Sequence, residues 1–144
     1  MKYDDVSWHC GGNFPEDLPD EAGATHIGMF LAWAIMNGLE GDLHKEDSQE
    51  AIEAVRQRRM TGAKFLLQEC DWKLTHHSLN EEGNQFCLEY YGNDDGYGQY
   101  LVDYEIALAK NEPSLYHIED SWPTFDKLYE HIQSRYEAWK SKNG

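Results

Sequence analysis

Basic residues are scarce in this chain: 12 Lys and Arg stand against 27 Asp and Glu, a formal net charge of −15. The positive footprint that phosphates require is missing, which argues against nucleic acid as a partner and against anionic membrane surfaces. Long apolar runs are missing too. The longest, Met29 to Met36, is eight residues, whereas a membrane span needs about 20. Met1-Lys2-Tyr3-Asp4-Asp5 leads into no apolar h-region, so no secretory signal is expected and the expected location is the cytoplasm. The three cysteines, Cys10, Cys70 and Cys87, are odd in number and lack close pairing. That fits free thiols in a reducing compartment.

Catalytic signatures are equally sparse. There is no HExxH, no CxxC, no Cys/His cluster with zinc spacing, no GxSxG and no P-loop. Asn93-Asp94-Asp95-Gly96 matches part of a calcium loop, but the position six residues after Gly96 is Val102 where that loop needs Glu. Gly96-Tyr97-Gly98 lacks the third glycine of a dinucleotide loop. No metal and no cofactor is expected.

What is present is aromatic mass and one apolar helix. Five Trp, nine Tyr and five Phe supply large bodies for a core and argue against disorder. At 144 residues the chain reads as a single α-rich domain, 1–144, with residues 1–19 as an irregular acidic lead packed on the body. Pro15, Pro19 and Gly11-Gly12 forbid a long helix in that lead. Asp20 is placed to cap a central helix over about 20–37, apolar nearly all round and stopped by Gly38. Ala24, Gly28 and Ala32 make a small-residue stripe on it, a seat for a closely packed neighbour. His26, Phe30, Trp33 and Asn37 lie on another face.

Further helices follow from the apolar period. One runs from Asp47 or Ser48 to about Arg59, and one is capped by Thr61. Another begins at Ser78 with Glu81 completing a capping box. One is traced by Tyr97, Tyr100, Leu101, Tyr104 and Leu108, and the last starts near Pro123. Residues 38–46 read as a loop, and Leu115–Ile118 is compatible with a short strand. The expected architecture is mainly α: a bundle of about six helices around the buried central one, with at most one or two short strands.

Charge is concentrated at the front. Residues 1–50 hold eleven acids and two bases, a balance of −9. Glu16, Asp17, Asp20 and Glu21 sit between and beside two prolines, which makes them a pre-organised acidic surface suited to a basic protein partner. Asp94 and Asp95 form a second acidic turn. Trp8 and Tyr97 are candidate aromatic anchors. His26 stands alone in an apolar helix, where a buried imidazole must find a hydrogen bond. With His9 it defines a candidate pocket, although no other residue identifies itself as its partner. His9, His76 and His77 otherwise read as structural or surface positions, and Cys70 and Cys87 as small core residues.

The stretch Ser7-Trp8-His9, Gly11-Gly12-Asn13-Phe14-Pro15, Leu18-Pro19 and Glu21 through Ala34, with Pro113 through His117 and Trp122 and Phe125, resembles a family of small acidic bacterial proteins of unknown function. The resemblance brings no catalytic residues. By analogy of type it implies an immunity or antitoxin protein. Three functions are carried forward. The first is a bacterial cytosolic protein that binds a basic partner, such as a toxin whose active site it occludes. The second is a small enzyme or ligand binder built on His26 and His9, which requires His26 to be reachable from solvent. The third is a dimerising module using aromatics of the last helix. The sequence leaves the oligomeric state open.

Overall fold

The computed structural model describes residues 2–12, 14–93 and 96–143. In chain order the elements are β1 (Lys2–Asp5), α1 (Val6–His9), α2 (Thr25–Met36), α3 (Asp42–Asp47), α4 (Gln49–Arg56) and α5 (Gly62–Glu69). They continue with β2 (Lys73–Thr75), α6 (Glu81–Tyr90), β3 (Gly92–Asn93), β4 (Gly96–Tyr97), α7 (Gln99–Leu108) and α8 (Trp122–Asn143). The protein is mainly α, as expected. The extended segments are short: β1 pairs antiparallel with β2, and β3 with β4.

α2 is the central post. Every residue from Thr25 to Ile35 is buried, so neighbours must cover it on all sides. α5 takes the small-residue face. A Cβ added to Gly28 would lie 2.1 Å from the Ala63 amide nitrogen, and one added to Gly62 would lie 1.8 Å from the Gly28 carbonyl oxygen. Two glycines therefore set how closely these helices approach. The opposite flank is aromatic. Phe30 meets the rings of Tyr91 and Tyr100 at 5.2 and 5.4 Å, and Trp33 meets Phe86 and Tyr136 at 5.3 and 5.1 Å. Each such side chain contributes about 1.5–3 kcal/mol on burial. α8 is tied on by the Trp33 indole, which donates to Gln133 Oε1 at 2.9 Å. α7 and α8 are joined by Arg135, which reaches both oxygens of the buried Asp103 at 3.0 and 3.1 Å.

Several local expectations give way to tertiary structure. Asp20 does not cap α2. A 3-10 turn, Asp20–Ala24, precedes it, because Gly23 lies against α1, where a Cβ would stand 3.2 Å from Val6 Cγ1. The stretch read as a loop at 38–46 contains α3, held by buried His44, whose ring lies 5.2 Å from that of Phe65. Ser78 does not start α6. It closes a capping box with Thr75 around the 3-10 turn His76–Ser78, and Asn80 caps α6 by accepting from the Gly83 amide at 2.8 Å. Leu115–His117 is a 3-10 turn, not a strand. Eight α-helices stand among the described residues where about six were expected, the extra ones being the short α1 and α3. All three cysteines are free. No helix among the described residues is long and apolar enough to cross a membrane.

Candidate functional site

The N-terminal lead folds back on itself within its first nine residues. Asp5 terminates β1 and caps α1: its carboxylate accepts from the Ser7 amide at 2.9 Å and the Ser7 hydroxyl at 2.8 Å, and from Lys2 Nζ at 2.7 Å. From the other side, the Val6 amide donates to the Trp72 carbonyl at 3.0 Å. That carbonyl is presented by a left-handed pair, Asp71 and Trp72, with φ of 52° and 66°. The resulting single turn of helix sends Trp8 outward and His9 inward.

His9 meets Asp4, which points into the interior from β1. His9 Nε2 lies 2.7 Å from Asp4 Oδ1, and His9 Nδ1 lies 2.7 Å from the Tyr116 hydroxyl. Asp4 Oδ1 also accepts from the Asp5 amide at 2.8 Å, and Asp4 Oδ2 accepts from the Tyr91 hydroxyl at 2.5 Å. The first turn of the post supplies His26. Its Nε2 stands 3.4 Å from Asp4 Oδ2, and its ring centroid is 4.5 Å from that of His9, edge to face. Asp4, His9 and His26 are 0%, 7% and 1% exposed, so the cluster is enclosed.

Two members are satisfied and one is not. Among the described residues neither ring nitrogen of His26 has a hydrogen-bond partner, and the hydroxyl of Tyr104 is likewise buried without one. The 3.4 Å separation brings His26 within charge range of Asp4 without hydrogen-bond alignment. Burial favours the neutral form of Asp4, but the facing imidazoles of His26 and His9 outweigh it and hold the carboxyl well below the usual carboxylate range. Burial pushes the His26 imidazole below its ordinary value, against the pull of Asp4. Burial, reinforced by the Asp4 carboxylate, raises the phenols of Tyr91 and Tyr116, the latter to about 12. Among the described residues no Lys or Arg lies within ion-pair distance of Asp4.

The sequence paired His9 with His26 as a candidate pocket, and the fold brings these two rings together. It encloses His26 rather than opening it to solvent, and its ring nitrogens make no bond to the backbone. Asp4, the residue that joins the histidines, was missed. Nothing in the spacing Asp4, His9, His26 marks a ligand set, because two strand and helix ends and a separate helix converge only in three dimensions. Tyr91 and Tyr116 were missed for the same reason.

The predicted partner-binding residues lie outside this cluster. Trp8 is 43% exposed, with Lys2 Nζ 5.2 Å above its ring. Glu16, Asp17, Asp20 and Glu21 are all exposed, on two consecutive turns closed by the Leu18 amide to the Pro15 carbonyl and the Ala22 amide to the Pro19 carbonyl. Asp17 is engaged by His117 Nε2 at 3.0 Å, which lowers its carboxyl. His117 follows Tyr116, so one 3-10 turn fastens both the buried cluster and the acidic surface. Asp94 and Asp95, and the side chain of Tyr97, lie outside the described residues.

No curated protein and no solved structure matches this chain. The clustered side chains, the acidic turns and the strap that fastens them all fall between residues 2 and 118, the stretch that matches the family model described as a domain of unknown function, DUF7832, and the chain belongs to that family.

Proposed function

We propose that this protein is a non-catalytic binding protein of the bacterial cytoplasm that docks a basic protein partner, in the manner of an immunity protein occluding the active site of a toxin. The observation that carries this reading is the anchoring of the acidic lead. Its four acids are exposed on turns held at one end by Asp17 and His117 and at the other by Cys10 Sγ, 3.5 Å from the Asp20 carbonyl. Fixed charges of one sign lose little freedom on binding and steer a basic surface toward them. Trp8 stands exposed on α1, the element against which the Asp20–Ala24 turn packs. It is an amphipathic anchor of the kind that dominates interfaces.

The test is association with the product of the neighbouring gene, measured by stopped flow at low salt. The triple variant Glu16→Lys, Asp20→Lys, Glu21→Lys is expected to slow association at least tenfold, with a small effect on dissociation. Trp8→Ala is expected to speed dissociation instead. An association rate indifferent to both the charge reversal and the salt concentration would remove the proposal.

A further inference from the structure

We propose that Asp4, His9 and His26 form a binding site for one divalent transition-metal ion, Zn2+ by preference. This goes beyond the docking role and does not depend on it. The three residues each offer a ligand atom, all lying within 4.8 Å of one another. Two imidazoles and a carboxylate are a borderline-soft nitrogen and oxygen set that suits Zn2+ and its first-row neighbours rather than Ca2+ or Mg2+, which take oxygen ligands. Zn–N and Zn–O bonds run about 2.0–2.2 Å, so a small closure of the cluster is enough to bring all three donors onto one ion.

His26 is the independent pointer. It is 1% exposed, with no hydrogen bond to either ring nitrogen among the described residues and Nε2 3.4 Å from Asp4 Oδ2. An imidazole in that state is costly unless something accepts its lone pair, and a Lewis acid between His26 and Asp4 does so. The shell around the donors is the kind that orients metal ligands. If His9 binds through Nε2, its Nδ1–H is left facing the Tyr116 oxygen at 2.7 Å. Tyr91 and the Asp5 amide hold the carboxylate of Asp4. Ligating histidines and carboxylates are fixed in this way by outer partners. Binding through His9 Nε2 displaces the proton that bridges His9 and Asp4 in the metal-free arrangement. Loading therefore either releases that proton or moves it to Nδ1. Enclosure of all three donors makes the role structural: the ion would fasten the lead, through Asp4 and His9, to the central post, through His26.

The experiment uses the full chain, unfolded in chelator, then refolded with one equivalent of Co2+, of Zn2+, or of Mg2+ as control. The expected result is one Co2+ retained per chain after desalting, with visible d–d absorption of a low-coordinate site that Zn2+ bleaches, and a rise in Tm with Zn2+ but not with Mg2+. Tyr116→Phe keeps the ring and the fold and is expected to weaken Zn2+ affinity by 10- to 100-fold, on the order seen for outer-shell partners. His26→Gln is expected to abolish retention. His76→Ala with His77→Ala removes the adjacent pair of rings at 4.0 Å and is expected to change nothing. A wild-type chain that refolds without retaining Co2+ overturns the proposal, as does retention lost in the His76, His77 variant. Should His26→Gln fail to fold, the wild-type spectrum and Tyr116→Phe decide the question.

Discussion

His26 is the residue on which the interior is least settled. It is enclosed, its ring nitrogens make no hydrogen bond among the described residues, and burial holds it below its ordinary titration range. The consequence for stability has a definite sign. In the unfolded chain the ring gains a proton near pH 6.5, while in the folded chain it resists doing so. Below that pH the unfolded state binds more protons, so stability falls as pH falls, by up to about 1.4 kcal/mol per pH unit for one proton. His44, also lowered by burial, adds to the same trend. Asp4, whose carboxyl is held down in the fold, contributes stability that is lost only further into acid. Urea titrations at pH 7 and pH 5, in chelator and at about 0.5 M NaCl to screen net charge, are expected to show a clear loss at pH 5. His26→Leu should flatten that dependence, leaving the part due to His44. An unchanged slope in the variant would mean that the proton goes elsewhere. Histidine in an apolar helix was legible in the sequence as a residue in need of a partner. That its nearest polar neighbour is Asp4 was not, because the approach depends on the Asp5 cap and the Trp72 carbonyl turning α1 back over β1.

Among the elements, α2 was the most legible, since no surface helix can lack a polar face. Its small-residue stripe also pointed correctly to a close neighbour. The neighbour's own contribution, Gly62 in the first turn of α5, carries no signal in sequence beyond following the cap Thr61, whose hydroxyl accepts from the Lys64 amide at 3.2 Å. α3 was hidden because its helicity is imposed from outside. Leu43 is 52% exposed, and only His44 anchors the turn inward, so the apolar period that reveals longer helices is absent. The tight α2–α5 crossing predicts an asymmetry between glycines. Gly62→Ala places a methyl group 1.8 Å from the Gly28 carbonyl and 2.8 Å from Ala32 Cβ. Backbone cannot move aside as a flexible side chain can, so the two helices must separate, at a cost of about 3 kcal/mol. Gly11→Ala, where an added Cβ meets no described residue within 4 Å, should lie within about 0.5 kcal/mol of the parent. Chemical denaturation of the two variants checks this, and equal effects would show that the crossing is not glycine-limited.

For the whole molecule the controlling quantity is the charge of −15, heaviest in the first 50 residues. Among the described residues, half of the six Lys and Arg ion pairs that could offset it are exposed on both sides. Arg58 with Asp126, Lys45 with Asp42 and Lys73 with Asp71 all have side chains more than 40% exposed, and such pairs contribute about 0–1 kcal/mol each. Twelve bases cannot neutralise 27 acids, so many carboxylates on the folded surface face other carboxylates at distances that unfolding would increase. Salt therefore has two opposing effects: it weakens the few exposed pairs and it screens the general repulsion. The second involves many more charges and acts over the Debye length, about 10 Å at 0.1 M and shorter above it. Raising NaCl from about 0.05 to 0.5 M is expected to increase Tm by roughly 3 °C, the shift that ~1 kcal/mol produces in a chain of this size. KCl should act alike, which separates screening from specific ion binding. A fall in Tm with salt would place the exposed pairs above self-repulsion. It would also weaken the case for an acidic front held ready for a basic partner, because the same repulsion that salt relieves is what such a partner would relieve on docking.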